Sequence, residues 1–128
     1  LIAMGRAVGT AALMHLSTLT ESGNFSNDLA NLVLNDLSLQ EVLIDNVLTT
    51  LQTKGYSGLD VDFEYVEERD KEAFFHFLGR ARERLHQDGF FLVCQIFKID
   101  APVFFYNFGR LFQNVFLHLQ PIYIVLQI

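Results

Sequence analysis

The chain has a single cysteine, Cys94, so no internal disulfide can form and a disulfide-stapled fold is excluded. Cys94 sits in an apolar run and reads as an inert core thiol. Basic residues are also scarce: nine Lys and Arg stand against fifteen Asp and Glu, a formal charge of -6. Phosphate contacts need clustered Lys and Arg, so a nucleic-acid-binding surface is excluded. No uninterrupted apolar run reaches the ~20 residues of a membrane span. The Phe-rich stretch after Lys98 is broken by Asn107, Arg110, Gln113, Asn114, His118 and Pro121. The opening "LIAMGRAVGTAALMHL" has no charged start followed by a clean apolar core and small-residue cleavage site, so it reads as a poor signal peptide. Without an initial methionine, the chain reads as an internal piece of a longer protein.

What is present is material for a core. The 128 residues are 51% hydrophobic, enough for one globular domain and too few for two. The periodicities alternate. A helix closes near Gly9, and "AALMHLSTL", Ala11 to Leu19, is short and apolar like a buried strand. Ser26 suits the N-cap of a short helix with Leu29, Leu32 and Val33 on one face. Ser38 and Glu41 have capping-box spacing for a longer helix carrying Leu39, Val42, Leu43, Val47, Leu48 and Leu51. Gly55 then stands where a helix-ending glycine belongs.

A strand follows from about Gly58 to Tyr65. The next helix carries Phe74, Phe77, Leu78, Ala81 and Leu85 on one face. Its acidic start (Glu67, Glu68, Asp70) and basic end (Arg80, Arg82, Arg84, His86) complement the helix dipole. "FFLVCQIF", Phe90 to Phe97, is another strand. Strands alternating with helices point to an α/β fold with a parallel sheet. Beyond it, a helix from Phe104 to Leu119 and a strand from Ile122 to Ile128 are expected.

Within this frame the stretch "SGLDVDFEYV" stands out. Asp60, Asp62 and Glu64 alternate with Leu59, Val61 and Phe63, so in a strand the acids project together, ~7 Å apart along the chain. A parallel sheet covers both faces, and burying three carboxylates is costly. Repulsion and desolvation would keep a proton on at least one of them, which suits a general acid. Glu64, nearest the carboxyl end where sites open in such folds, is the candidate. Three other readings compete. An antiparallel strand could turn the acids to water, but the flanking helices disfavour it. A calcium loop of the EF-hand kind would need Gly in place of Tyr65 and Glu in place of Lys71. A magnesium-dependent transferase could use Asp60 and Asp62, with only "KGYSG" as a weak phosphate loop.

The stretch "SGLDVDFE" resembles the strand-4 signature of glycoside hydrolase family 18, D-G-x-D-x-D-x-E, with Ser57 in place of the first Asp. From Leu1 to Val93 the chain is similar to the chitinase-like branch of spore-germination and cortex-lytic N-acetylglucosaminidases. That resemblance implies an eight-stranded parallel β/α barrel, of which this chain supplies about strands 3 to 5 with their helices. It implies that residues 1–97 are part of the catalytic domain and that the Phe-rich 98–128 is atypical of the family.

The same resemblance implies roles. Glu64 would protonate the glycosidic oxygen. Asp62 would hold the substrate's 2-acetamido group, whose carbonyl oxygen attacks the anomeric carbon, and Asp60 would support Asp62. Tyr65 would line the sugar site. The substrate would be a glycan, peptidoglycan or chitin-like, with no cofactor and no metal, in a cell-wall, spore or extracellular setting. The family's strand-6 tyrosine has no counterpart here, and its strand-8 tryptophan none either, since the chain contains no Trp. The expectation is therefore a glycosidase whose complete pocket needs more than this chain, with these residues alone inactive. Open strand edges would favour self-association.

Overall fold

The computed structural model describes residues 2–64, 66–94 and the strand at 124–126. The elements run α1 (Ile2–Ala7), β1 (Leu13–Ser17), α2 (Asn27–Leu34), α3 (Leu37–Lys54), β2 (Gly58–Asp62), a 3-10 turn (Glu68–Asp70), α4 (Lys71–Gln87), β3 (Phe91–Cys94) and β4 (Ile124–Leu126). The sheet order is β1-β2-β3-β4. The first three strands are parallel, as expected, and β4 pairs antiparallel to the outer edge of β3. The helix expected over 104–119, the continuation of β3 through Phe97 and the 97/98 boundary lie outside the described residues.

Both crossovers, α2–α3 and α4, cover the same face of the sheet. On that face Leu59, Val61, Leu92 and Cys94 are buried in one cluster with Val47, Leu48, Leu51, Phe74, Phe77, Leu78, Ala81 and Leu85. Three parallel strands in sequence order with both described crossovers on one side are common to a stretch of β/α barrel wall and to one half of a doubly wound sheet. The α4 face is buried at each of the five positions its spacing indicates.

Local choices depart from the sequence expectation in instructive ways. Ser26 caps α2, its Oγ accepting from Leu29 N at 3.2 Å. The buried residues of α2 are Ala30 and Leu34, however, while Leu29 and Leu32 face outward. The cap of α3 is Asp36, whose carboxylate accepts from Ser38 N and Leu39 N. Ser38 therefore lies inside the helix rather than opening it, because an aspartate two residues upstream reaches the same orphan amides. The buried stripe of α3 is Gln40, Ile44, Val47, Leu48 and Leu51, and Leu39 and Val42 are exposed. Gln40 enters the core because its polar atoms are satisfied. Its Nε2 donates to Val33 O and Leu34 O at 3.0 and 2.8 Å, and its Oε1 accepts from Arg80 Nη2. Glu41, freed from capping, pairs with Arg84, which also reaches Asp45. The basic end of α4 thus ties α4 to α3, a role beyond complementing the dipole.

Asp70, at the start of α4, is also used differently from a dipole partner. Its side chain is buried and accepts from Asn31 Nδ2 at 2.9 and 3.0 Å and from Asn35 Nδ2 at 2.9 Å, which clips α2 to the start of α4. Hydrogen bonds from Asn31 first, then Asn35, hold its pKa below the ordinary 3.8, against the desolvation that would raise it. A carboxyl with a depressed folded value contributes stability that is complete above the unfolded value. That stability is lost as pH falls through the lower folded value. Wild-type thermal stability should therefore drop as the solution is acidified below pH 3.8. Asp70→Asn should lower the melting temperature by several degrees at pH 7 and flatten this acid limb. Calorimetry across pH 2–7 checks both; an acid limb as steep in the variant as in the wild type would remove Asp70 from the account.

Candidate functional site

The site is built on the sheet face that the helices leave uncovered. In the parallel register His15 lies beside Asp60 and Ser17 beside Asp62, so β1 and β2 each present two polar side chains there. The apolar alternates Leu59 and Val61 point the other way, into the helix-covered core. Asp60 and Asp62 are thus brought together as the alternation requires.

Glu64 stands beyond the strand rather than on it. β2 ends at Asp62, and Phe63 is drawn under α4, stacked on Phe74 and Phe77 with ring centroids 5.6 and 5.7 Å apart. That burial turns the chain, and Glu64 follows in the turn, half-buried, at the carboxyl end of the parallel strands. It makes no hydrogen bond or ion pair with another described residue, so its carboxyl is uncommitted within this part of the molecule. Tyr65 lies outside the described residues.

Full burial of the acids, expected from a sheet covered on both faces, is not what the described residues show. The side chains of Asp60 and Asp62 are 33% and 16% exposed, because α2, α3 and α4 all lie on the opposite face. Nor do the acids confront only each other. His15, which reading β1 as a uniformly apolar strand leaves unassigned, sets Nδ1 3.0 Å from Asp60 Oδ2 and Nε2 3.8 Å from Asp62 Oδ2. The signal for it is in the sequence: "MHLS" alternates apolar and polar as "LDVD" does, so His15 and Ser17 belong to the same face as the acids.

Cys94 stays out of the chemistry. It is buried on the helix side, and desolvation, with the Asp60 carboxylate adding to it, pushes its thiol up to about 12. So high a value leaves almost no thiolate at neutral pH. Among the described residues no group of three or more His, Cys, Asp or Glu is arranged to hold a metal ion. No described helix is long and apolar enough to cross a membrane.

The fold of this chain is similar to that of chitinase-like proteins of known structure. The chain superposes on the crystal structure of YdhD of Bacillus subtilis, named a sporulation-specific glycosylase, with a TM-score of 0.69 and 31% identity. The match covers 73% of this chain and 30% of that one. A chitinase from Chromobacterium violaceum gives 0.67 and 31%, over 73% and 29%. In sequence, YdhD is 35% identical over 83 residues, 63% of this chain and 20% of that protein. A cortical fragment-lytic enzyme of Bacillus cereus is 39% identical over 77 residues, 60% and 18%. The chain therefore spans about a fifth of the length of the curated relatives it matches. No family model matches it.

Proposed function

We propose that the whole protein carrying this chain is a family 18, chitinase-like glycoside hydrolase. It would cut β-linked N-acetylglucosamine polymers, cortex peptidoglycan fragments or chitin, with this chain forming about strands 3 to 5 of its barrel. The observation that carries the reading is the placement of Asp60 and Asp62 on the uncovered face of β2, with Glu64 just past its carboxyl end. That segment is similar to enzymes named for glycan cleavage.

In this reading Glu64 donates its proton to the glycosidic oxygen as the bond to the anomeric carbon breaks. The acetamido carbonyl oxygen of the same sugar bonds to that carbon, so the leaving sugar departs as an alcohol and a cyclic oxazolinium remains. Asp62 takes the acetamido N–H as that nitrogen gains positive charge, and Asp60 backs Asp62. Water then attacks the anomeric carbon, gives a proton to the Glu64 carboxylate, and restores both the acetamide and the acid with net retention. Tyr65 lines the sugar site.

The reading is tested with the whole protein on N-acetylglucosamine oligomers, cortex fragments and their de-N-acetylated counterparts. Release of new reducing ends is expected from the acetylated substrates. The de-N-acetylated ones should be slower by at least about a hundredfold, because they lack the internal nucleophile that proximity makes effective. Turnover of neither, or equal turnover of both, would reject it.

A further inference from the structure

His15 is absent from the roles just assigned, yet it is the side chain that touches both aspartates. Its Cα partner in the register is Asp60, so the ring rises between β1 and β2 with Nδ1 at 3.0 Å from Asp60 Oδ2. Nδ1 and Oδ2 are at hydrogen-bond distance, with Nδ1 the donor whenever the Asp60 carboxylate is ionised. With Nδ1 fixed, the far side of the ring turns toward the next acid along β2. Nε2 comes to 3.8 Å from Asp62 Oδ2, beyond hydrogen-bond length and within ion-pair reach. The two contacts are therefore unequal: one is a bond that sets the ring, the other an approach that the first makes possible. Two like charges at alternate positions of one strand repel, and among the described residues no other basic side chain meets either acid.

We propose that His15 is a positioning residue that fixes Asp60 by hydrogen bonding and, through the ring so held, keeps the Asp62 carboxylate at the orientation in which it receives the acetamido group. This rests on the function proposed above. His15 itself touches neither the anomeric carbon nor the glycosidic oxygen. Its effect is on the angle of a group that does, and misplacement on the scale of 1 Å costs about a hundredfold in rate. Among the described residues the titratable groups facing the ring are Asp60 and Asp62; Cys94 lies across the sheet, on the helix side.

Three substitutions in the whole protein separate the contacts. His15→Phe keeps the ring volume and removes both nitrogens. His15→Asn keeps an amide donor near the Nδ1 position, and His15→Gln keeps one nearer the Nε2 position. His15 is 55% exposed, so none should disturb folding, which circular dichroism and the melting temperature verify. Phe should lower kcat on an N-acetylglucosamine oligomer roughly 10- to 100-fold with KM changed less than about threefold. Asn should recover most of that loss, and Gln little. A Phe variant with wild-type kcat, or Gln recovering as well as Asn, overturns the positioning role and leaves the hydrolase reading standing. A wild-type protein that turns over no N-acetylated substrate overturns both.

Discussion

Glu64→Gln is expected to cut turnover of an N-acetylglucosamine oligomer by the whole protein about a hundred- to ten-thousand-fold, the usual worth of a positioned general acid. Glutamine keeps the shape of the side chain and has no proton to give. Glu64 is half-buried in a turn and bonded to no described residue, so its replacement removes chemistry and leaves the fold alone. The leaving group decides whether the loss reflects acid catalysis. A sugar hydroxyl departs poorly without protonation, whereas a nitrophenolate departs unaided. Glu64→Gln should therefore be far more damaging on the oligomer than on a nitrophenyl N-acetylglucosaminide. Asp62→Asn should injure both substrates to a similar degree, because the acetamido attack accompanies departure of either group. Turnover unchanged in Glu64→Gln, or equal losses on the two substrates, would take the acid role away from this residue.

The alternation of acids was readable because a strand has a period of two and nothing else need be known. The α4 face is readable for the same kind of reason, since Phe74, Phe77, Leu78, Ala81 and Leu85 are all apolar and recur at helical spacing. What one sequence hid were contacts between elements far apart in the chain. Gln40 counts as polar in any hydrophobic pattern, so such a pattern places the α3 stripe one position off, toward Leu39 and Val42. Only the C-terminal carbonyls of α2 and the Arg80 guanidinium make its burial tolerable. Arg84 and Asp70 looked like dipole partners because the dipole is local, while their partners Glu41, Asp45, Asn31 and Asn35 lie 35 or more residues away. His15 was lost to the apolar average of its neighbours, although its alternation matched that of Asp60 and Asp62.

The second large effect is expected at Gly58, two residues before Asp60 on the same face of β2. A Cβ built there would sit 2.4 Å from Phe91 O and 2.8 Å from Phe91 Cβ, so it meets backbone that no rotamer change can move. This is where β2 and β3 begin to pair: Phe91 N donates to Ser57 O at 3.1 Å, and Phe91 is the register partner of Gly58. Any side chain must push β3 outward, breaking that bond and loosening Leu92 and Cys94 from the core they share with Leu59 and Val61. Gly58→Ala should cost ~3 kcal/mol, the upper part of the range for overpacking because the obstacle is main chain, and Gly58→Val more. That is a large share of a domain's usual ~5–15 kcal/mol. Gly55 supplies the contrast. It ends α3 at φ +76°, and a Cβ there would meet only the tip of Arg6 at 3.4 Å, so its constraint is conformational. Asparagine tolerates that left-handed region, so Gly55→Asn should be mild and Gly58→Asn as damaging as alanine or worse. Denaturant melts of the whole protein measure both; a Gly58→Ala variant within ~0.5 kcal/mol of wild type would mean that β2 and β3 do not approach as closely as the geometry requires. Because the displaced strand borders Asp60 through the Asp60–Val93 pairing, variants at Gly58 that still fold should also lose hydrolytic rate, more in kcat than in KM.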